Sequence, residues 1–208
     1  MTILTFPSIP AQSVQFGLQS RTQAFMSKLT SATQTVRMAG AFWKGTVSFT
    51  DLEVDQAREL QAFLVSLEGM NGRFYLGDLS NIAPSGYMAN HPSTVLSVVG
   101  GTNTGSSLVV DGFPTNGQVA FKAGDMISFQ GGGGYRELKM ITADATPSGG
   151  SATLTVKPNI RSAPADNAAV THQSATCIMR LASDKDGQWS VAPPILSNMS
   201  FSFVEAVI

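Results

Sequence analysis

The residues that could do chemistry are few, and each sits in a context that argues for something plainer. The glycine run "QGGGG" (130–134) has the composition of a phosphate cradle, in which backbone amides aim at an anion from a strand-to-helix turn. Such a cradle is followed by Lys and Ser/Thr. Here a strand-like run, "YRELKMITA", follows instead, and no Gly-Lys-Ser/Thr occurs in the chain. The run reads as a flexible hairpin tip whose glycines could adapt to a neighbouring subunit. His91 and His172 are the only histidines, and neither has a second ligand at metal spacing. His91 precedes a proline in "ANHPS" and His172 lies in "VTHQS", so both read as surface or turn residues. They could serve a catalytic triad only beside a Ser and an Asp, and no Gly-x-Ser-x-Gly elbow supports one.

The acidic stretch "SDKDGQW" (183–189) has alternating acids ending in glycine, the opening of a calcium loop, but no bidentate Glu follows at the required offset. An Asp-Gly hairpin turn explains it better. Asp78 and Asp125 follow glycines, and turn chemistry accounts for both. Cys177 is the one cysteine, which excludes an internal disulfide framework and a Cys-rich zinc site. Its apolar context, "ATCIMRL", predicts a buried inert thiol rather than a nucleophile. The expectation is therefore no catalytic, cofactor-binding or metal-binding residues, and no enzyme.

The elements that would position any site are mostly strands. Val14, Phe16 and Leu18 alternate with Gln15, Gly17 and Gln19, the period of a half-buried strand. "QTVRMAGAFWKGTVSF" reads as two strands turning near Lys44-Gly45, with Phe42, Trp43, Val47 and Phe49 as core candidates. A single helix follows at about 52–68. Thr50 and Glu53 stand three apart, as in a capping box, and Asp51 and Glu53 suit a helix N-terminus. Ala57, Leu60, Phe63, Leu64 and Leu67 form one apolar stripe, and Gly69 supplies a left-handed stop. "GRFYLGD" returns the chain to a strand.

From about residue 83 to 175 short apolar runs alternate with Gly, Ser, Asn, Asp and Pro clusters, the pattern of a small antiparallel barrel or sandwich. "ATCIMRLAS", "QWSVAP" and "NMSFSFVEAV" then resume longer strands, with Met199, Phe201 and Phe203 on one face. Both chain ends should therefore build one β domain (1–82 and 176–208), with a second β domain (83–175) inserted between them.

Composition bounds the partners. Charged residues make up 13% of 208, about half the usual share. A surface that polar yet uncharged suits a protein covered by copies of itself or by partners. Net charge is −1 and no basic block stands out, so nucleic acid and anionic membranes leave no electrostatic footprint. "MTILTFPSIP" lacks a basic n-region and is broken by Pro7 and Pro10, so no secretory signal is read there. No apolar run approaches the roughly 20 residues of a membrane span. The chain is expected to be made, and to stay until released, on the reducing side of a membrane.

One stretch carries a resemblance. "WKGTVSF" running into "ARELQAFLVSLEGMNGRFYLGD" looks like the distal tail proteins of long-tailed (siphovirus-like) bacteriophages and prophages. The similar residues are Trp43 and Gly45, then Ala62, Phe63, Leu64, Leu67 and Gly69, then Gly72, Phe74, Gly77 and Asp78. "FKAGDMISF" (121–129), "TLTVKPNIR" (153–161) and "CIMRLAS" (177–183) also resemble later segments of such proteins, so most of the chain is covered in order.

The resemblance implies a mainly β fold, a sandwich or split-barrel belt domain with one helix. The inserted domain would be a small barrel of the oligonucleotide/oligosaccharide-binding type. It implies a structural protein of the virion, made in the host cytoplasm. Copies would form a hexameric ring joining the tail tube to tail-tip, hub or baseplate proteins. DNA would pass through the ring without sequence-specific binding, and no membrane insertion or cofactor is implied. A lumen that passes DNA is expected to be acidic, and Glu53, Asp55, Glu59 and Glu68 are the nearest candidates. The alternative is a carbohydrate- or receptor-binding module, which would need exposed aromatics among Tyr87, Phe113, Phe121, Phe129 and Tyr135. Trp43, Leu60, Phe63, Leu64, Leu67, Gly69 and Phe74 are expected to be packing residues rather than a site.

Overall fold

A computed structural model describes residues 2–192 and 196–207, without the side chains of Val191, Ala192, Leu196 and Ser197. Pro193, the expected end of the "QWSVAP" strand, lies outside the described residues, as do Met1 and Ile208 at the expected domain limits. In chain order the elements are β1 (Ile3–Thr5), β2 (Ser13–Met26), β3 (Thr33–Leu52), α1 (Val54–Ser66) and β4 (Arg73–Leu76). Then come β5 (Leu96–Val98), β6 (Gly105–Asp111), β7 (Met126–Gln130), β8 (Arg136–Ile141), β9 (Ser151–Ile160) and β10 (Ala169–Thr171). The chain closes with β11 (Cys177–Leu181), β12 (Trp189–Ala192) and β13 (Leu196–Glu205).

The fold is mainly β, in two bodies. Strands from both chain ends form a mixed sheet in the order β1-β4-β11-β13-β3-β2, with β12 also paired to β13. Between them, β10-β5-β6-β9-β8-β7 close into an antiparallel barrel. The barrel leaves after β4 and returns at β11, and these two strands pair directly, Leu76 opposite Cys177. The insertion therefore exits and re-enters through neighbouring strand ends, which lets a whole barrel be added without disturbing the sheet.

Period-two alternation puts Phe49, Phe74, Phe201 and Phe203 on one sheet face, and α1 covers them. Leu60, Phe63, Leu64 and Leu67 of the helix stripe are buried there, with the Phe63 ring edge-on to Phe74 at 5.5 Å. Each such side chain contributes about 1.5–3 kcal/mol by leaving water. The helix starts three residues later than the Thr50–Glu53 spacing predicts. Thr50 still belongs to β3, and the capping box is Glu53 with Gln56, whose Oε1 accepts the Glu53 amide at 3.4 Å. Leu67 ends it, and Gly69 (φ +70°) lies beside the Asp184 carboxylate.

The expected turn at Lys44-Gly45 is absent: β3 runs straight through it from Thr33 to Leu52. Gly45 serves a different need. Phe16 and Phe203 oppose it from the strands on either side. A Cβ there would strike the Gln15 carbonyl and the Phe203 ring, the latter at 2.7 Å. The bare backbone lets the two rings, 6.2 Å apart, close over the strand. The real turn lies at Ser27–Ala32, where Ser27 Oγ accepts the amides of Leu29 and Thr30 and the Ser27 amide donates to the Ala32 carbonyl.

Candidate assembly surface

The β2–β3 hairpin outgrows its sheet. Up to Leu18 and Trp43 it packs on the core, but from Ser20 to Gly40 every residue is exposed. The break falls at a bulge, where Gln19 opposes Phe42 and Arg21 opposes Met38, so Ser20 faces three residues including Gly40 (φ +98°). Bulges of this kind bend a strand pair, and here the bend marks the base of a two-stranded arm. Cross-strand pairing places Arg21, Gln23, Phe25, Gln34, Val36 and Met38 on one face of it. Phe25, Val36 and Met38 are all more than half exposed, and Leu29 at the tip is 97% exposed. An isolated two-stranded ribbon is marginal in water, and this one spends apolar side chains on solvent.

The base of the arm is held by a buried ionic joint. The Glu205 carboxylate accepts the Trp43 amide at 2.9 Å and both terminal nitrogens of Arg161, Nη2 at 2.9 Å. Arg161 Nη2 also donates to the Ala41 carbonyl at 2.9 Å, inside the bulge. Arg161 follows β9 of the barrel, Glu205 ends β13 of the sheet, and Ala41 and Trp43 lie where the arm begins. One ion pair thus ties three parts of the chain together. The Trp43 indole adds a fourth tie, donating to the Leu138 carbonyl of β8 at 2.9 Å. Met126 and Leu138 of the barrel complete the packing by joining the core of the sheet.

Behind the joint lies a second buried pair. Lys139 Nζ meets Glu137 Oε2 at 2.6 Å, with side chains 0% and 5% exposed. Glu137 also accepts the amides of Arg161 and Ser162 at 3.1 and 3.0 Å, which orients the loop carrying Arg161. Lys139 donates to the Asn159 carbonyl at 3.0 Å. Burial pushes the Lys139 ammonium below its ordinary range, and the Glu137 carboxylate opposes that shift. Burial also works against the Arg161 charge, but the Glu205 carboxylate outweighs it and the net shift is upward.

The sheet face opposite α1 has another character. Thr46 and Ser202 hydroxyls meet at 3.0 Å, as do those of Ser48 and Ser200, with Gln15 alongside Thr46. A shallow cleft of about 510 Å³ over Gln15, Gly17, Lys44, Thr46 and Ser202 runs along it. Glu53, Asp55, Glu59 and Glu68 lie on the helix side, so these acids do not share a face with the hydroxyl rows.

The residues expected to pack do so. Trp43, Leu60, Phe63, Leu64, Leu67 and Phe74 are buried, and Gly69 sits in a left-handed turn. Other residues with chemistry to offer have structural partners. Asp184 accepts the Met70 amide at 2.8 Å, and Asp186 accepts the Ser202 amide at 3.3 Å. Asp125, buried, accepts the amides of Ser85 and Lys122, pinning the incoming linker to the barrel. The glycine run is a hairpin turn as expected, but it is not free. Gly131 is buried, and a Cβ on it would reach Glu137 Oε1 at 2.7 Å, while Gly132 abuts the Ala163 carbonyl.

His172 departs from the surface position expected of it. It is buried against Phe121, with Nε2 3.2 Å from the His91 carbonyl. Burial holds its imidazole below the ordinary range, partly offset by that hydrogen bond. Cys177 is buried, and burial pushes its thiol well up. Among the described residues no group of three or more His, Cys, Asp or Glu could hold a metal ion, and no helix is long and apolar enough to cross a membrane.

Sequence reasoning missed the arm and the joint. In these strands alternation is read only at residues 14–19, short of the arm, and the strand read from Gln34 carries no local sign that neither of its faces is covered. The joint's partners are 44 and 162 residues apart in the chain.

Comparison with protein-family models and with curated proteins finds no match. Fold and surface together define a class: a mainly β chain of two bodies joined by one buried ion pair, from which a bare, partly apolar arm projects.

Proposed function

We propose that this chain is a structural subunit of a phage tail, assembling with copies of itself into a ring, hexameric by resemblance, between the tail tube and the tail tip. The observation that carries the reading is the arm. Residues 20–40 expose Phe25, Met26, Leu29, Val36 and Met38 on a ribbon that has no packing of its own, which marks a protein–protein surface. The hydroxyl-rich sheet face, whose Ser and Thr side chains pair with one another and on which Lys44 and Arg180 flank Val204, suits a wall past which DNA slides without sequence-specific contact. Aromatic burial weighs against a glycan-binding barrel: Phe113, Phe121 and Phe129 are core residues, and Tyr135 alone of the five candidates is exposed.

The test is the mass of the purified full-length chain across micromolar concentrations, by native mass spectrometry with negative-stain imaging. A discrete ring supports the reading. A chain that stays monomeric throughout that range overturns it.

A further inference from the structure

Charge along the chain is segregated in a way that overall neutrality hides. Residues 1–50 contain no Asp or Glu, and the arm carries Arg21, Lys28 and Arg37. Immediately after, Asp51, Glu53, Asp55, Glu59 and Glu68 surround a helix region whose only cation is Arg58. The exposed side of α1 presents Asp55, Glu59, Ala62 and Val65, with Arg58 3.8 Å from Asp55, Val54 also exposed and Val65 at 64%. The arm is basic and apolar; the outer face of α1 is acidic and apolar.

Their dimensions agree. The six ladder pairs from Arg21–Met38 to Met26–Thr33 span about 20 Å at strand rise. The thirteen residues of α1 span about 20 Å at helix rise. Within one chain β3 runs from Thr33 in the arm to Leu52, the residue before the Glu53 cap of α1, so the tip of the arm and the start of α1 lie beyond its two ends.

We propose that the arm of one copy docks on the outer face of α1 of a second copy. Phe25, Val36 and Met38 would lie against Ala62 and Val65, with Arg21, which shares their face of the ribbon, facing Asp55 and Glu59. Each copy carries both halves at opposite ends, so the contact is head-to-tail and repeats from chain to chain. Such contacts close into rings when the rotation allows and otherwise extend into filaments. The inference rests on the ring reading and identifies which surfaces join.

The test uses the full chain in three forms: R21E in the arm, D55K/E59K in the helix, and all three substitutions together. All three side chains are exposed, and circular dichroism confirms that the fold is retained. The expectation is that the arm variant and the helix variant each weaken assembly at least about tenfold, because like charges then face each other across the contact. The combined variant restores assembly, because the signs are exchanged on both sides. Rings that form equally well in the arm variant and the helix variant overturn the arm–helix contact and leave the ring reading standing. Loss in both without recovery in the combined variant also overturns it, since the arm then meets another surface or another protein. A wild-type chain that never assembles overturns both.

Discussion

The Arg161–Glu205 joint makes an asymmetric prediction. The Arg161 side chain is 26% exposed and the Glu205 side chain 3%. Glu205→Gln leaves a guanidinium that can turn toward water and still donate to the Ala41 carbonyl. Its loss should resemble that of a charged hydrogen bond, about 1.5–3 kcal/mol. Arg161→Met leaves a carboxylate that cannot reach solvent and keeps only the Trp43 amide as partner. That is the broken buried pair, worth about 3–5 kcal/mol. The double variant should cost less than the sum of the two, by roughly 1–3 kcal/mol, because neither charge is then stranded.

Urea unfolding read by tryptophan fluorescence measures all three. Trp43 is buried at the joint while Trp189 is 47% exposed, so a Trp189→Phe background makes Trp43 the sole reporter. Equal losses from the two single variants, or strict additivity in the double, would refute the account of the joint as a desolvated pair.

Two further outcomes follow from the core. Gly45→Ala should cost about 1–3 kcal/mol, the usual penalty for overpacking, because the added methyl meets the Gln15 carbonyl and the Phe203 ring; an unchanged melting temperature would show that the strands can part there. His172 is held neutral by burial, below its ordinary value of 6.5, so the unfolded chain takes up a proton that the native chain resists. Stability is therefore intact above about pH 6.5 and declines as pH falls below it. His172→Gln should flatten that decline in thermal melts between pH 7 and about 5, and a slope identical to the wild type would contradict it.

What the sequence made legible follows from how local each signal is. The helix announced itself because Leu60, Phe63, Leu64 and Leu67 repeat within three turns, and its start was misjudged because Thr50, a good cap, lies in a strand held by β13. Gly45 looked like a turn because glycine marks both turns and close backbone approaches, and only the neighbouring strands show which one applies. His172 looked exposed because its flanking residues are polar, yet the barrel turns that ring inward. Arg161, Glu137 and Glu205 carried no signal at all. A buried charge is recognisable only by a partner brought from elsewhere in the chain.

The sheet order has a consequence for how the molecule is made. β13, the last of the described strands in chain order, sits in the middle of the sheet, between β11 and β3. The barrel strands, Leu96–Thr171, are contiguous and can close before β13 has emerged. The first strands cannot, because β3 lacks its inner neighbour until Leu196–Glu205 has emerged. Glu205, which anchors the base of the arm, arrives later still. The arm is therefore firmly seated only once Glu205 has emerged, and a chain halted before that point lacks the anchor at its base.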